Sequence, residues 1–318
     1  MTKSEIRAII STYAVNGVPC KELRQRKTNV REVAVKFCPQ TQDEGVSLSN
    51  AEYHAHPAVS KSGLDQVRRS PLHYWNRYLD PKRVIEPPTP AMVLGSALHT
   101  RVLEPHLYAD EYIVAPEGID RRTKEGKLRW ADFEAEANGR TVLKNEDAAQ
   151  IEGMANAVQQ HAAARMILRL SGKCEQSYFW TDEASGEKCK CRPDWHSDNK
   201  QLIADVKTTE DASPRGFIRS VMKYRYYVQA AFYSQGIGAE QFVFIAVEKK
   251  PPFAVAVYAT PPELIERGRR EAQEDLRLIA SCRADNSWPG YGDQIQSLIV
   301  PSWLDSGQAE QVSEIEGF

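Results

Sequence analysis

The stretch CRPDWHSDNKQLIADVKTT, residues 191–209, decides how this chain folds. It sets Asp194 directly after Pro193, breaks into polar residues, and then runs QLIADVK, an apolar segment that carries Asp205 and Lys207. If that segment is a strand, its period of two puts Asp205 and Lys207 on one face and Val206 on the other. An Asp-x-Lys triplet is most often a surface ion pair of small consequence. Here Leu202, Ile203 and Ala204 precede it, so the acid rides on a strand whose neighbours belong inside. Two nearby carboxylates repel and resist ionisation unless a cation offsets them. A divalent ion that also activates water beside a phosphate meets that demand.

Upstream, CEQSYFW and EKCKCRPDW flank the turn TDEASG and read as a hairpin, to which QLIADVKTT adds a third strand. Downstream, a helix from about Phe217 to Gln235 carries Tyr226, Gln229 and Tyr233 on one face. QFVFIAVE and FAVAVYA follow as strands around the turn KKPP, and Pro261-Pro262 opens a last long helix. Before the hairpin, Ser60 or Ser62 caps a helix through Arg69, and Pro71 starts an aromatic one with Tyr74, Trp75 and Tyr78. Residues 91–104 form a helix ended by Pro105, with His99 on it and Gly95 one turn earlier. A helical glycine gives up about 1 kcal/mol relative to alanine, so something is expected to approach Gly95 closely. A single helix histidine is more often satisfied by a hydrogen bond than used as a ligand, so His99 alone leaves both readings open. EGIDRRTKEGKLRW reads as a loop whose Arg121, Arg122, Lys124, Lys127 and Arg129 either meet phosphates or are simply solvated. A long helix from about Asn145 to Leu170 precedes the first strand. The order helix, three strands, helix, strand predicts an α/β fold with a metal site at strand ends.

Composition is compatible with that reading. The 318 residues are 42% hydrophobic and 26% charged, with a net charge of −2, so any nucleic-acid surface must be a local groove rather than a basic coat. No apolar run approaches the ~18 residues of a membrane span, and MTKSEIRAII lacks the apolar centre of a signal peptide. A cytoplasmic protein with six free thiols is expected. Cys189 and Cys191 sit two apart without a matching pair, which suits small buried fillers better than a zinc finger. The texture divides the chain into an N-terminal arm at 1–46, small and helical or partly ordered, a main domain at 47–304, and an acidic tail at 305–318.

The order Gly95-Ser-Ala-Leu-His99, Pro193-Asp194, Asp205-Val-Lys207-Thr208, Gln229-x-x-x-Tyr233 resembles the PD-(D/E)XK nuclease superfamily in its RecB-like branch. Within that branch, ALHTRVLEP, RRT-x-x-GK, CRPD, DVKTT and YRYYVQAAFYS resemble, in order, the nuclease domains of the exonuclease VIII (RecE) type, over roughly residues 47–305. The resemblance implies a restriction-endonuclease-like core: a central mixed sheet flanked by helices in αβββαβ order. It also implies a magnesium-dependent exodeoxyribonuclease that digests linear double-stranded DNA from 5′ ends and leaves 3′ overhangs for recombination. By position, Asp194 and Asp205 match the metal-binding acids, Lys207 the catalytic lysine and His99 the active-site histidine. The Val206 carbonyl is expected to reach the ion, and Glu175 to be a water-mediated ligand or a strand-edge charge. Gln229 and Tyr233 match the motif lining the site. Arg121, Arg122, Lys127, Arg192, Thr208 and Arg225 are candidates for contact with DNA.

Hard oxygen ligands select Mg²⁺, one imidazole admits Mn²⁺, and Ca²⁺ is expected to bind with little turnover. Some RecB-like nucleases hold an iron–sulfur cluster with three cysteines after the Gln-Tyr helix. Only Cys282 lies beyond Tyr233, so no cluster is expected. The implied partners are DNA ends, a single-strand annealing recombinase of the RecT kind, and further copies of the chain in a ring, with no membrane. Two other readings stand beside this one: a structure-specific or restriction-like endonuclease, and a non-catalytic DNA-binding accessory protein that keeps only the fold.

Overall fold

In the computed structural model, the structure describes residues 44–84 and 86–298. The expected arm falls almost wholly on residues 1–43 and the expected tail on residues beyond 298, outside the described residues. In chain order the helices and strands are α1 (Asn50–Ala55), α2 (Lys61–Arg69), α3 (Pro71–Tyr78), α4 (Pro90–Leu103), α5 (Tyr108–Glu111), β1 (Tyr112–Val114), α6 (Lys124–Ala137), β2 (Thr141–Leu143), α7 (Asn145–Gln160) and α8 (Ala162–Leu168). There follow β3 (Gly172–Cys174), β4 (Tyr178–Thr181), β5 (Lys188–Cys191), β6 (Trp195–Ser197), β7 (Leu202–Thr209), α9 (Pro214–Lys223), α10 (Tyr226–Ile237), β8 (Gln241–Glu248), β9 (Val255–Ala259) and α11 (Pro262–Asp285).

The central sheet runs β3-β6-β7-β8-β9. It is antiparallel except between β7 and β8, where Asp205 pairs with Phe244 and Lys207 with Ala246. A parallel pair needs a crossover, and α9 with α10 supplies it. The alternation anticipated for QLIADVK is present. Leu202, Ala204 and Val206 pack with Ala97 and Leu98 of α4 and with Ile151, Met154 and Val158 of α7. Ile203 packs on the opposite side, with Val228 and Phe232 of α10 and Leu276 and Ile279 of α11. Both faces of β7 are therefore covered, and each fully buried Leu, Ile or Phe contributes about 1.5–3 kcal/mol. The result is a mixed α/β core, a central sheet between helices.

Local details depart from the sequence reading. The hairpin β4–β5 forms as expected but is a sheet of its own. The partner of β7 is instead the short β6, WHS, which pairs through Trp195–Ala204 and His196–Ile203. The helix expected over 145–170 breaks at His161, whose extended backbone caps α8, its ring Nδ1 accepting from the Ala164 N–H. The helix expected over 217–235 breaks at Arg225, which adopts φ 51°. The expected loop at 117–130 holds the start of α6. Thr123 caps it by accepting from the Gly126 N–H, and its hydroxyl donates to the Asp120 carbonyl. Gly126 is required there, because a Cβ would lie 1.9 Å from that carbonyl oxygen. Gly95, by contrast, faces open space, so no close neighbour accounts for it.

Cys189 and Cys191 are fully buried in the core as free thiols. Among the described residues no helix is long and apolar enough to cross a membrane.

Candidate active site

Five segments of the chain meet around β7. Helix α4, started by Pro90 and the Thr89 cap, brings His99 over β7. The backbone turn before β6 brings Asp194, the junction after β3 brings Glu175, and β7 itself carries Asp205 and Lys207. Helix α10 closes the other side with Gln229 and Tyr233.

The His99 Nε2 lies 2.8 Å from the Val206 carbonyl oxygen. A carbonyl only accepts, so Nε2 carries the proton, and Nδ1 is left facing Asp194 Oδ2 at 3.5 Å. That same carboxylate oxygen accepts from the Val206 N–H at 2.8 Å. His99 and Asp194 are thus locked to the two backbone groups of one β7 residue. Glu175 joins them: ligating atoms of His99, Glu175 and Asp194 all lie within 4.8 Å of one another. Its backbone is in the left-handed region, φ 50°, and its N–H donates to the Asp194 carbonyl at 3.2 Å. A non-glycine residue held there is strained, and such strain concentrates at functional sites.

The electrostatics are those of a site short of positive charge. Burial, then the neighbouring Asp194 carboxylate, raises the Glu175 carboxyl to about 9. Asp205, fully buried, is raised to about 6 by burial and by Asp194, against the pull of Lys207. Burial works to lower Lys207, but Asp205 and Asp194 outweigh it and hold the ammonium above the ordinary lysine range. Lys207 pairs with Asp205 Oδ1, Gln229 Nε2 donates to Asp205 Oδ2, and the Tyr226 ring lies 5.1 Å below the ammonium. Burial lifts the Tyr233 hydroxyl well above its ordinary value, so it remains a donor.

These residues fit a divalent cation. His99 Nδ1 and an Asp194 carboxylate oxygen face each other at 3.5 Å with the Glu175 carboxylate close by, three ligating groups that one cation can share. The set of one imidazole nitrogen and two carboxylates is oxygen-rich, the kind that holds magnesium or manganese. The expected ligands divide, however. His99, Glu175 and Asp194 form the cluster, with Glu175 close enough to be a direct ligand. Asp205 is engaged by Lys207 and Gln229, and the Val206 carbonyl accepts from His99.

A cavity of about 580 Å³ opens over the cluster, with His99, Glu175, Asp194, Arg192 and Tyr233 in its lining. Its far wall is a segment that sequence reasoning left out of the site: Ser47, Leu48, Ser49, Asn50, Tyr53 and His54. Glu104 and Glu111 also reach it. No motif announces these residues; they arrive by tertiary packing alone.

The residues expected at DNA are scattered. Arg192 is buried, bonds to Ser177, Asn50 and the Leu48 carbonyl, and lies 4.2 Å over the Tyr53 ring, so it ties the wall to the sheet. Arg225 is consumed by Asp65, Glu271 and Asp275. Arg122 pairs with Asp120, and Arg121 lies 4.1 Å over Trp130. Lys127 is exposed on α6, and Thr208 is half-buried on β7.

Residues 60–301 match the family model of the PDDEXK-like domain of unknown function (DUF3799). No curated protein matches the chain. A crystal structure of a candidate exonuclease from Eubacterium rectale superposes with a TM-score of 0.54 at 12% identity, covering 83% of this chain and 100% of that one, a likeness of fold. A phage-related exonuclease from Haemophilus somnus 129PT superposes only loosely, with a TM-score of 0.27 at 12% identity over 64% of this chain and 92% of that one. The family match takes in the His99 helix, both acids, Lys207 and the Gln229 helix, and the chain belongs to the family of PDDEXK-like domains of unknown function, with the PD-(D/E)XK nuclease core.

Proposed function

We propose that the protein is a divalent-metal-dependent deoxyribonuclease that removes nucleotides from the 5′ ends of linear duplex DNA, leaving 3′ single strands for an annealing partner. The observation that carries the nuclease reading is the placement of the His99, Glu175 and Asp194 cluster beside the Asp205–Lys207 pair. The end preference, the polarity, the annealing partner and assembly into a ring rest on the resemblance to RecE-like nuclease domains.

A magnesium or manganese ion held by His99, Glu175 and Asp194 would lower the pKa of its water and offset charge on the phosphate. The chain's own residues supply the rest. Lys207 stays protonated, so it acts as a fixed positive donor to the attacking water or to a phosphate oxygen rather than as a base. Gln229 holds the Asp205 carboxylate so that it keeps Lys207 in place. The Val206 N–H and carbonyl fix the orientations of Asp194 and His99. Tyr233, at the cavity wall, offers a hydroxyl donor to the same phosphate.

The test is digestion of linear duplex labelled separately at each 5′ and each 3′ end, beside a covalently closed circle, with Mg²⁺ and with EDTA. Early release of the 5′ label, an intact circle and no release in EDTA are expected. Release of the 3′ label first overturns the polarity, and cutting of the circle shows an endonuclease.

A further inference from the structure

The break between α9 and α10 is built around one side chain. Arg225 takes a left-handed backbone, φ 51°, a conformation that needs compensation in a residue bearing a Cβ. Its side chain is only 14% exposed, and its guanidinium bonds three carboxylates on two other helices: Asp65 of α2 at 3.2 Å, and Glu271 and Asp275 of α11 at 3.3 and 2.6 Å. It also donates to the Leu64 carbonyl at 3.4 Å. From the other side, Lys61 pairs with Asp65 and donates to the Tyr224 carbonyl at 2.7 Å. Asp275 is 1% exposed and is also bound by Arg68 at 2.8 Å.

This network includes none of His99, Glu175 and Asp194, yet its output is in the site. The residue after Arg225 is Tyr226, under the Lys207 ammonium, and the Arg225 carbonyl accepts from the Gln229 N–H. A guanidinium is suited to this because its planar fork can hold three carboxylates in fixed directions, which an ammonium cannot.

We propose that Arg225 is the positioning residue of the site: tied to Asp65, Glu271 and Asp275, it fixes the start of α10 in the register at which Tyr226 meets Lys207 and Gln229 meets Asp205. It touches neither substrate nor ion. The proposal rests on the nuclease reading for its activity arm only.

The experiment compares wild type with Arg225→Lys, which keeps the charge without the fork, and Arg225→Gly, which keeps the left-handed backbone without the side chain, each checked for a cooperative thermal unfolding transition. For each, kcat and KM on linear duplex with Mg²⁺, Mn²⁺ affinity, and amide hydrogen exchange at Tyr226–Ala230 are measured. Both variants should lose kcat by about 10- to 100-fold, with KM and Mn²⁺ affinity within about twofold and with faster exchange confined to the start of α10. A kcat near wild type in Arg225→Lys, or a loss confined to KM, overturns the proposal; the second result would mean that the guanidinium meets DNA. If wild type itself cleaves nothing, the nuclease reading fails, and exchange decides alone: unchanged exchange at Tyr226–Ala230 overturns the positioning role.

Discussion

Glu175 stands in the left-handed region with its carboxyl raised to about 9, where a glutamate in water sits near 4.5. A raised acid adds no penalty while protonated and weakens the fold as pH climbs through the range between those values. The metal-free protein should therefore lose stability between about pH 5 and pH 9, at no more than ~1.4 kcal/mol for each step of one in pH. Glu175→Gln removes that slope, so its Tm should exceed the wild type's by about 3 °C or more at pH 8 and match it near pH 5, read by thermal unfolding in EDTA. Identical pH slopes in the two proteins would show that Glu175 is not a burdened acid. Lys207→Gln should cut turnover at least ~100-fold while Mn²⁺ binding persists, because the lysine pairs with Asp205 and is not one of the cluster's ligating groups. At this scale the sequence was most informative about β7: Asp205 and Lys207 do share a face because strand period is fixed by backbone geometry. It was least informative about Arg192 and Arg225, since the acids that bury Arg225 lie 46 to 160 residues away along the chain.

Among the elements, α10 and α11 cross where Gly268 leaves room for the Tyr227 backbone. A Cβ at Gly268 would lie 2.2 Å from the Tyr227 carbonyl oxygen and 2.9 Å from the Ala231 Cβ. Gly268→Ala should destabilise by about 1–3 kcal/mol and, by shifting α10, lower turnover as well; thermal unfolding and a steady-state assay check both. An unchanged Tm would mean the crossing is softer than its contacts indicate. Elements with strong periodicity or clear caps, such as α4 and α11, were legible in sequence. β6 was not, because three residues between a Pro-Asp turn and a polar turn carry no period of their own. The start of α6 was hidden for another reason: its arginines and lysines read as solvated loop, and only the Thr123–Gly126 cap marks it as helix.

In the molecule as a whole, the segment ahead of the family match is part of the site. Val46 pairs with Ser177, two residues past Glu175, and Val59 bridges to Cys189. Between them Lys190 and Arg192 flank the Tyr53 ring at 4.5 and 4.2 Å. Arg192→Ala should loosen this wall, lowering Tm by several degrees and raising hydrogen exchange across 47–54, with Mn²⁺ affinity less affected; exchange confined to wild-type levels there would contradict the anchoring role. The cluster that this wall encloses is tested by a side-by-side assay of wild type and Asp194→Asn releasing acid-soluble nucleotide from linear duplex DNA in Mg²⁺. Digestion by wild type, abolished by EDTA, and a loss of at least ~100-fold in the variant are expected; equal digestion by both proteins, or none by wild type in either Mg²⁺ or Mn²⁺, would rule out a metal-dependent nuclease centred on Asp194.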